Sequence, residues 1–299
     1  MTAHLTKLCQ FPLYSITKKP PQSIENFIKN EDLPPTAKHV KSKAKQSTFC
    51  LLPKIHTPGR PIVWLSACSC PTENISEYLD SLLLPIAQSL PIYTKGTTHA
   101  LNIFKQMNAE KNFQPQLLFT LDVVSLYTSI PHRDGLRVLS FFLDRHPPEA
   151  CYPFITTLAW LAELVLTLNT LEFDVHIFHQ VSRVAMGTKW GLAMPAYSWA
   201  IMNTSYWSPL QAQYQSCTRG MRYTDGGCGA SLMCESALLD FIHFVQNFHP
   251  SIKFTYKISP VSVKFLDILV NIKHGQFTTS VFYKPTDAHS YLYVLISSP

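Results

Sequence analysis

The chain has 299 residues, 46% of them apolar and 15% charged, against roughly 25% charged in an ordinary soluble domain. A sizeable core is therefore expected, in one large domain or two ordinary ones, with some surface either lost or buried against partners. The net charge of +6, from 25 Lys and Arg against 19 Asp and Glu, favours phosphate-bearing partners without requiring them.

Zinc-binding and membrane-spanning classes are disfavoured. The eight cysteines include no Cys-x2-Cys pair, and Cys68/Cys70 and His176/His179 read as isolated side chains. The most apolar stretch, 154–171, carries Glu163 and Asn169 and is too short to cross a bilayer. With no signal peptide at the start, the expectation is a soluble, reduced, intracellular protein that makes no membrane contact.

Residues 1–48 are rich in Pro and Lys, with Lys38, Lys41, Lys43 and Lys45 in close order. They read as an extended or loosely helical basic segment, either a solvated face or a surface for phosphate contact. From Phe49 to Leu65 the pattern predicts two short strands joined at Thr57-Pro58-Gly59, with Lys54 and Arg60 close across a hairpin. A Lys point charge and an Arg fork could clamp a polyphosphate, or both could face solvent. Leu79, Leu82, Leu83 and Ile86 then recur at helical spacing and predict a core-facing helix within 76–90.

Leu117 to Pro131 is the stretch that organises the rest. Its first half is a continuous apolar run that suits a strand buried on both faces, and Asp122 interrupts it where an unpaired carboxylate is costly. Tyr127 follows on the way out, and Ser129-Ile130-Pro131 reads as the start of a helix, with a capping hydroxyl and a first-turn proline. A carboxylate and an aromatic at this range suit a cation beneath a sugar-containing or planar ligand; a satisfied strand-end Asp is the plainer alternative.

Helices are predicted over 134–145 and 154–168, then a short strand on Phe173, Val175 and Ile177. Gln180 leads into Ala185, Gly187 and Thr188, a turn of small residues that allows close backbone approach to a flat ligand. Met221 to Thr224 is a strand entering Asp225-Gly226, for which a plain tight hairpin is an adequate reading. Leu238 to Phe248 gives a helix and Ile252 to Ile258 a half-exposed strand. Phe265 to Ile272 pairs with Phe277 to Tyr283 around residues 273–276. The order predicts an α+β fold with helices on one face of an antiparallel sheet. In a split arrangement the first strand adjoins the hairpin and brings Asp122 to Asp225, a divalent-cation pair for phosphoryl transfer.

These blocks, in this order, resemble the reverse transcriptases of Penelope-like retroelements, relatives of telomerase reverse transcriptase, over about 49–299. The resemblance is carried by Leu52 to His56 with Gly59 to Val63, by Pro71 to Ser76, and by Leu121 to Pro131. It continues in Gln180 with Ala185 to Lys189, in Arg222-Tyr223-Thr224-Asp225, and in Phe265-Leu266-Asp267 with Tyr283 to Asp287. It implies a right-hand polymerase, with fingers over 49–116 and a palm over 117–299 after the basic segment 1–48. The implied reaction is templated addition of deoxynucleotides from dNTP to a DNA primer on an RNA template, in the nucleus, with two Mg2+ or Mn2+ ions.

By the same resemblance Asp122 and Asp225 hold the ions, Tyr127 excludes a ribose 2′-hydroxyl, Lys54 and Arg60 contact the triphosphate, and Gln180 and Gly187 shape the pocket under the templating base. The chain also departs from the family. Gly226 stands where the motif has its second Asp, the following strand Gly227 to Ala230 is poor in β-formers, and Arg183 replaces a small residue. The thumb and GIY-YIG endonuclease are expected to be absent. A degenerate, truncated copy with a weakened cation site is the expectation.

Overall fold

The computed structural model describes residues 14–17, 47–48, 50–53, 62–65, 72–90, 92–110, 112–145, 155–173, 176–184, 217–247 and 249–283. The first half of the chain gives β1 (Tyr14–Thr17), β2 (Ser47–Thr48), β3 (Cys50–Pro53), β4 (Ile62–Leu65), α1 (Glu73–Gln88), α2 (Thr97–Ala109), β5 (Leu117–Val123), α3 (Leu126–Ser129) and α4 (His132–Arg145). The second half gives α5 (Ile155–Thr167), β6 (Thr170–Phe173), β7 (His176–Gln180), β8 (Thr218–Tyr223), β9 (Gly226–Ser231), α6 (Glu235–Asn247), β10 (Phe254–Ser259), β11 (Ser262–Phe265), β12 (Ile268–Lys273) and β13 (Gln276–Val281).

The apolar run at 117–123 becomes an inner strand of an antiparallel sheet ordered β10-β5-β9-β8. Successive side chains of a strand point to opposite faces, and β5 feeds a core on each. Leu117, Phe119, Leu121 and Val123 pack against Leu238, Phe241, Ile242 and Val245 of α6. Leu118, with Met221, Cys228 and Ala230, packs against Ala100, Phe104 and Met107 of α2 and against Val263, Val270 and Phe277 of the β11-β12-β13 sheet. Of the helices from 117 onward, α6 packs against this sheet, on one face, while α2 lies on the other. A strand apolar on both sides needs cover on both, and α2, which the sequence reading did not assign, supplies part of the second.

A third core joins Leu79 and Leu83 of α1 to Leu139 and Leu143 of α4 and Leu158 and Leu161 of α5. Each such leucine, fully buried, contributes roughly 1.5–3 kcal/mol of transfer free energy. This core and the one around α2 both combine residues from 49–116 with residues from 117–299.

Other local expectations hold or shift by identifiable causes. β3 and β4 pair antiparallel with Pro53 opposite Ile62, as the hairpin reading requires. The stretch from Phe173 to Ile177 is two strands, because Phe173 pairs with His176 in an antiparallel β6-β7 ladder. Phe265 to Ile272 also divides: Phe265 pairs with Ile268, and Leu266 takes a left-handed φ of 53° in the turn between. Ser129 does not cap α4. Its hydroxyl donates back to the carbonyls of Val124 (2.9 Å) and Ser125 (3.0 Å), closing the single turn α3 onto the end of β5.

β9, although Gly227 to Ala230 is poor in β-formers, is paired on both edges. A Cβ at Gly229 would lie 2.4 Å from Cζ of Phe119 and 2.7 Å from the carbonyl oxygen of Arg219. The missing side chain makes room for the Phe119 ring, which meets Phe241 edge-on at 6.3 Å. Burial and cross-strand packing outweigh the low β-propensity of glycine here.

Candidate functional site

The β8-β9 hairpin turns on Thr224 and Asp225, since Tyr223 pairs with Gly226. The sequence places Asp225-Gly226 at the centre; the structure moves the turn back by one residue, with Thr224 at a φ of 46°. Two-residue hairpins need left-handed backbone to match the strand twist, and here threonine adopts it. Asp225 therefore sits at the tip, where its Oδ1 accepts from the Thr224 hydroxyl at 3.0 Å. The amide of Val123 donates to the carbonyl of Asp225 at 3.0 Å.

Asp122 pairs with Gly226 across β5-β9. A Cβ on Gly226 would lie 3.0 Å from Oδ1 of Asp122. Asp122 and Asp225 thus open on one cleft of about 450 Å³, with Thr120, Tyr223, Lys264 and Phe282 also in its walls. The pKa of Asp122 is raised, first by partial burial of the carboxyl and then by the Asp225 charge, with Lys264 acting in the opposite sense. Carboxylates held together at a strand end with their charge incompletely neutralised suit a divalent cation. Among the described residues no group of three or more His, Cys, Asp and Glu could hold a metal ion.

Gln180 does not enter this cleft. It is buried at the end of β7, where its amide nitrogen donates to the carbonyls of Ser182 (3.1 Å) and Arg183 (2.9 Å) and its oxygen accepts from Asn169 at 2.7 Å. These bonds lock the turn in which Arg183 has a φ of 72°. The Arg183 carbonyl also meets His132 Nε2 at 2.5 Å. Both donors of its amide and its oxygen are thus engaged within the chain. Tyr127 lies in α3, directly beyond β5; its side chain lies outside the described residues. So do Lys54, Arg60, Gly187, Lys38, Lys41, Lys43 and Lys45.

Two residues that the sequence reading did not assign stand out. Lys264 enters the cleft from β11, where its alternation with the buried Val263 and Phe265 marks it as outward-facing. Its ammonium lies 5.7 Å from the Phe282 ring. Arg222, on β8, is 1% exposed, and burial pulls its guanidinium down to about 10. No local signal marks that burial.

No family model matches the chain, and no curated protein matches it. Solved structures do. The telomerase of Candida tropicalis in complex with the TWJ fragment of telomeric RNA superposes with a TM-score of 0.63 at 8% identity, over 97% of this chain and 48% of that one. The apo telomerase of Candida tropicalis truncated from its C-terminal domain gives 0.60 at 10%, over 92% and 58%. The BmCPV RNA-dependent RNA polymerase at its quiescent state gives 0.58 at 11%, over 85% and 24%. The fold is therefore polymerase-like. The chain spans about half the length of these telomerases and about a quarter of the viral polymerase.

Proposed function

We propose that the chain is a reverse-transcriptase domain of retroelement origin, of the Penelope-like type, with fingers over 49–116, a palm over 117–299 and a weakened cation site. The observation that supports this most directly is the meeting of Asp122 and Asp225 at adjoining strand ends in a polymerase-like fold. The substrates on this reading are dNTP, a DNA primer and an RNA template; the telomerase neighbour that holds telomeric RNA favours the last.

Asp122 and Asp225 would hold Mg2+ or Mn2+. Bound there, the cation would supply Lewis-acid activation of a primer hydroxyl and neutralise phosphate charge. The chain's own part is to fix two carboxylates on a hydrogen-bonded hairpin and strand, so that oxygen ligands are positioned before substrate arrives. Gly226 and Lys264 reduce that capacity, one by contributing no carboxylate and the other by contributing a positive charge to the same cleft. These two residues favour a second reading, a nucleic-acid-binding domain without catalysis.

Incorporation of dNTP by the purified chain on an RNA template with a DNA primer, in Mg2+ or Mn2+, separates them. Extension that disappears in Asp122→Asn identifies the polymerase. Salt-sensitive primer-template binding without extension identifies the binding domain, because phosphate contacts release counterions. Neither extension nor binding at low salt rejects both.

A further inference from the structure

Arg222 is the largest fully buried side chain among the described residues. Its strand partner is Gly227, itself opposite Leu121, so it points to the face of the sheet opposite Asp122 and Tyr223. Its Nη1 donates to the carbonyl of Thr224 at 3.3 Å, whereas Nε and Nη2 are buried and have no hydrogen-bond partner. No carboxylate pairs with it among the described residues; the neighbouring polar surface is the Tyr93 ring, 5.8 Å from the guanidinium carbon. The backbone on the same residue is gripped as well. Its amide donates to Ile92 and its carbonyl accepts from Thr94, each at 2.7 Å.

A buried charge with two unsatisfied donors destabilises a fold, and an apolar side chain of similar length would avoid that cost. What the guanidinium adds is its hold on the Thr224 carbonyl. Thr224 is the left-handed residue of the hairpin turn, and the next residue is Asp225. We propose that Arg222 is a positioning residue, which steadies the Thr224 turn from beneath the sheet so that Asp225 stays beside Asp122. The inference rests on the reading of those two carboxylates as a cation-holding pair, and it gives a buried group on the far face of the sheet control over that pair. Groups that orient metal ligands from behind commonly alter affinity by about 10–100-fold when removed.

The test uses the full chain with Arg222→Met and Arg222→Lys. Three quantities are read: the thermal midpoint in chelator, Mn2+ affinity by electron paramagnetic resonance, and hydrogen exchange at the amides of residues 224–226. The expected result for Arg222→Met is an unchanged or higher midpoint, Mn2+ binding weaker by about tenfold, and faster exchange at 224–226. Arg222→Lys, which keeps one donor for Thr224, should fall between. A parallel loss of midpoint and affinity in Arg222→Met, or failure of that variant to fold, would make the residue merely structural and overturn the proposal, as would parental affinity and exchange. If the parent itself binds no Mn2+, the cation reading fails on its own. Exchange then still decides for Arg222: faster at an unchanged midpoint keeps the turn-steadying role, and unchanged exchange removes it.

Discussion

The amide of Val123 and the carbonyl of Asp225 are joined at 3.0 Å, which ties the residue after one candidate ligand to the backbone of the other. The approach of Asp122 to Asp225 is therefore built into backbone hydrogen bonding, whose groups must be paired somewhere in the fold. It does not depend on a cation to pull the two carboxylates together.

That arrangement has a pH signature. Asp122 has an ordinary value of 3.8 that is raised in the folded chain, by partial burial and then by Asp225. Just above 3.8 the native state binds more protons than the unfolded state, so stability falls as pH rises through the window and remains lower above it. Asp122→Asn removes this penalty. In chelator at pH 7 the variant should melt slightly above the parent, with the difference vanishing below about pH 4. Solvent screening at this exposed position keeps the gain small. A variant that melts below the parent at pH 7 would contradict the assignment.

Lys264 offers a test of cleft electrostatics. Its ammonium opposes the charge that a divalent cation would seek, and Lys264→Met removes it while keeping an unbranched chain beside Phe282. Two unit charges about 4 Å apart in water interact by about 1 kcal/mol, and a divalent cation doubles that to about 2 kcal/mol, or about thirtyfold in affinity. Mn2+ titration should show tightening of about that size. Equal or weaker binding would place the ammonium outside the field of the carboxylates.

The packing of β9 predicts an asymmetry between two glycines. At Gly229 a methyl group would overlap the Phe119 ring and the Arg219 carbonyl, whereas at Gly227 the nearest atom stands 3.6 Å away. Gly229→Ala should destabilise by about 3 kcal/mol through overpacking, and Gly227→Ala by much less. Denaturant midpoints measure both. Similar values for the two would mean that Phe119 can move aside freely.

What the sequence made legible were strong periodicities. The β5 run, the α1 leucines and the α6 stripe each carried enough apolar pattern to mark an element, and the order of elements was enough to bring Asp122 and Asp225 together. The helix at Thr97–Ala109 has its buried set, Ala100, Phe104 and Met107, at helical spacing, a stripe that the sequence reading passed over. The turn at Thr224 was misplaced because Asp-Gly is the stronger local signal, and strand pairing on both sides of β9 overrode it. Burial of Arg222 depends on partners distant in sequence, Ile92, Tyr93 and Thr94, and no local pattern encodes those.

Gly226 gives a two-sided prediction. It pairs with Asp122, and a Cβ there would touch the end of a movable carboxyl, with no backbone atom closer than 3.8 Å. Its φ is not among the positive values, so an L side chain meets no backbone strain, and the fully paired β9 shows that the strand can hold one. Gly226→Asp therefore folds, but it adds a third carboxylate beside two that already repel. In chelator at pH 7 its midpoint should fall below that of the parent, and the gap should close as the pH drops toward 4 and the carboxyls protonate. In saturating Mn2+ the sign should reverse, because extra oxygen ligands tighten cation binding and a ligand that binds only the native state raises the midpoint with its affinity. Thermal melts in chelator and in Mn2+ measure both signs. A variant that melts like the parent in each would show that the side chain at 226 turns away from the cleft; a lower midpoint in both would show that the cleft gathers negative charge without holding a cation.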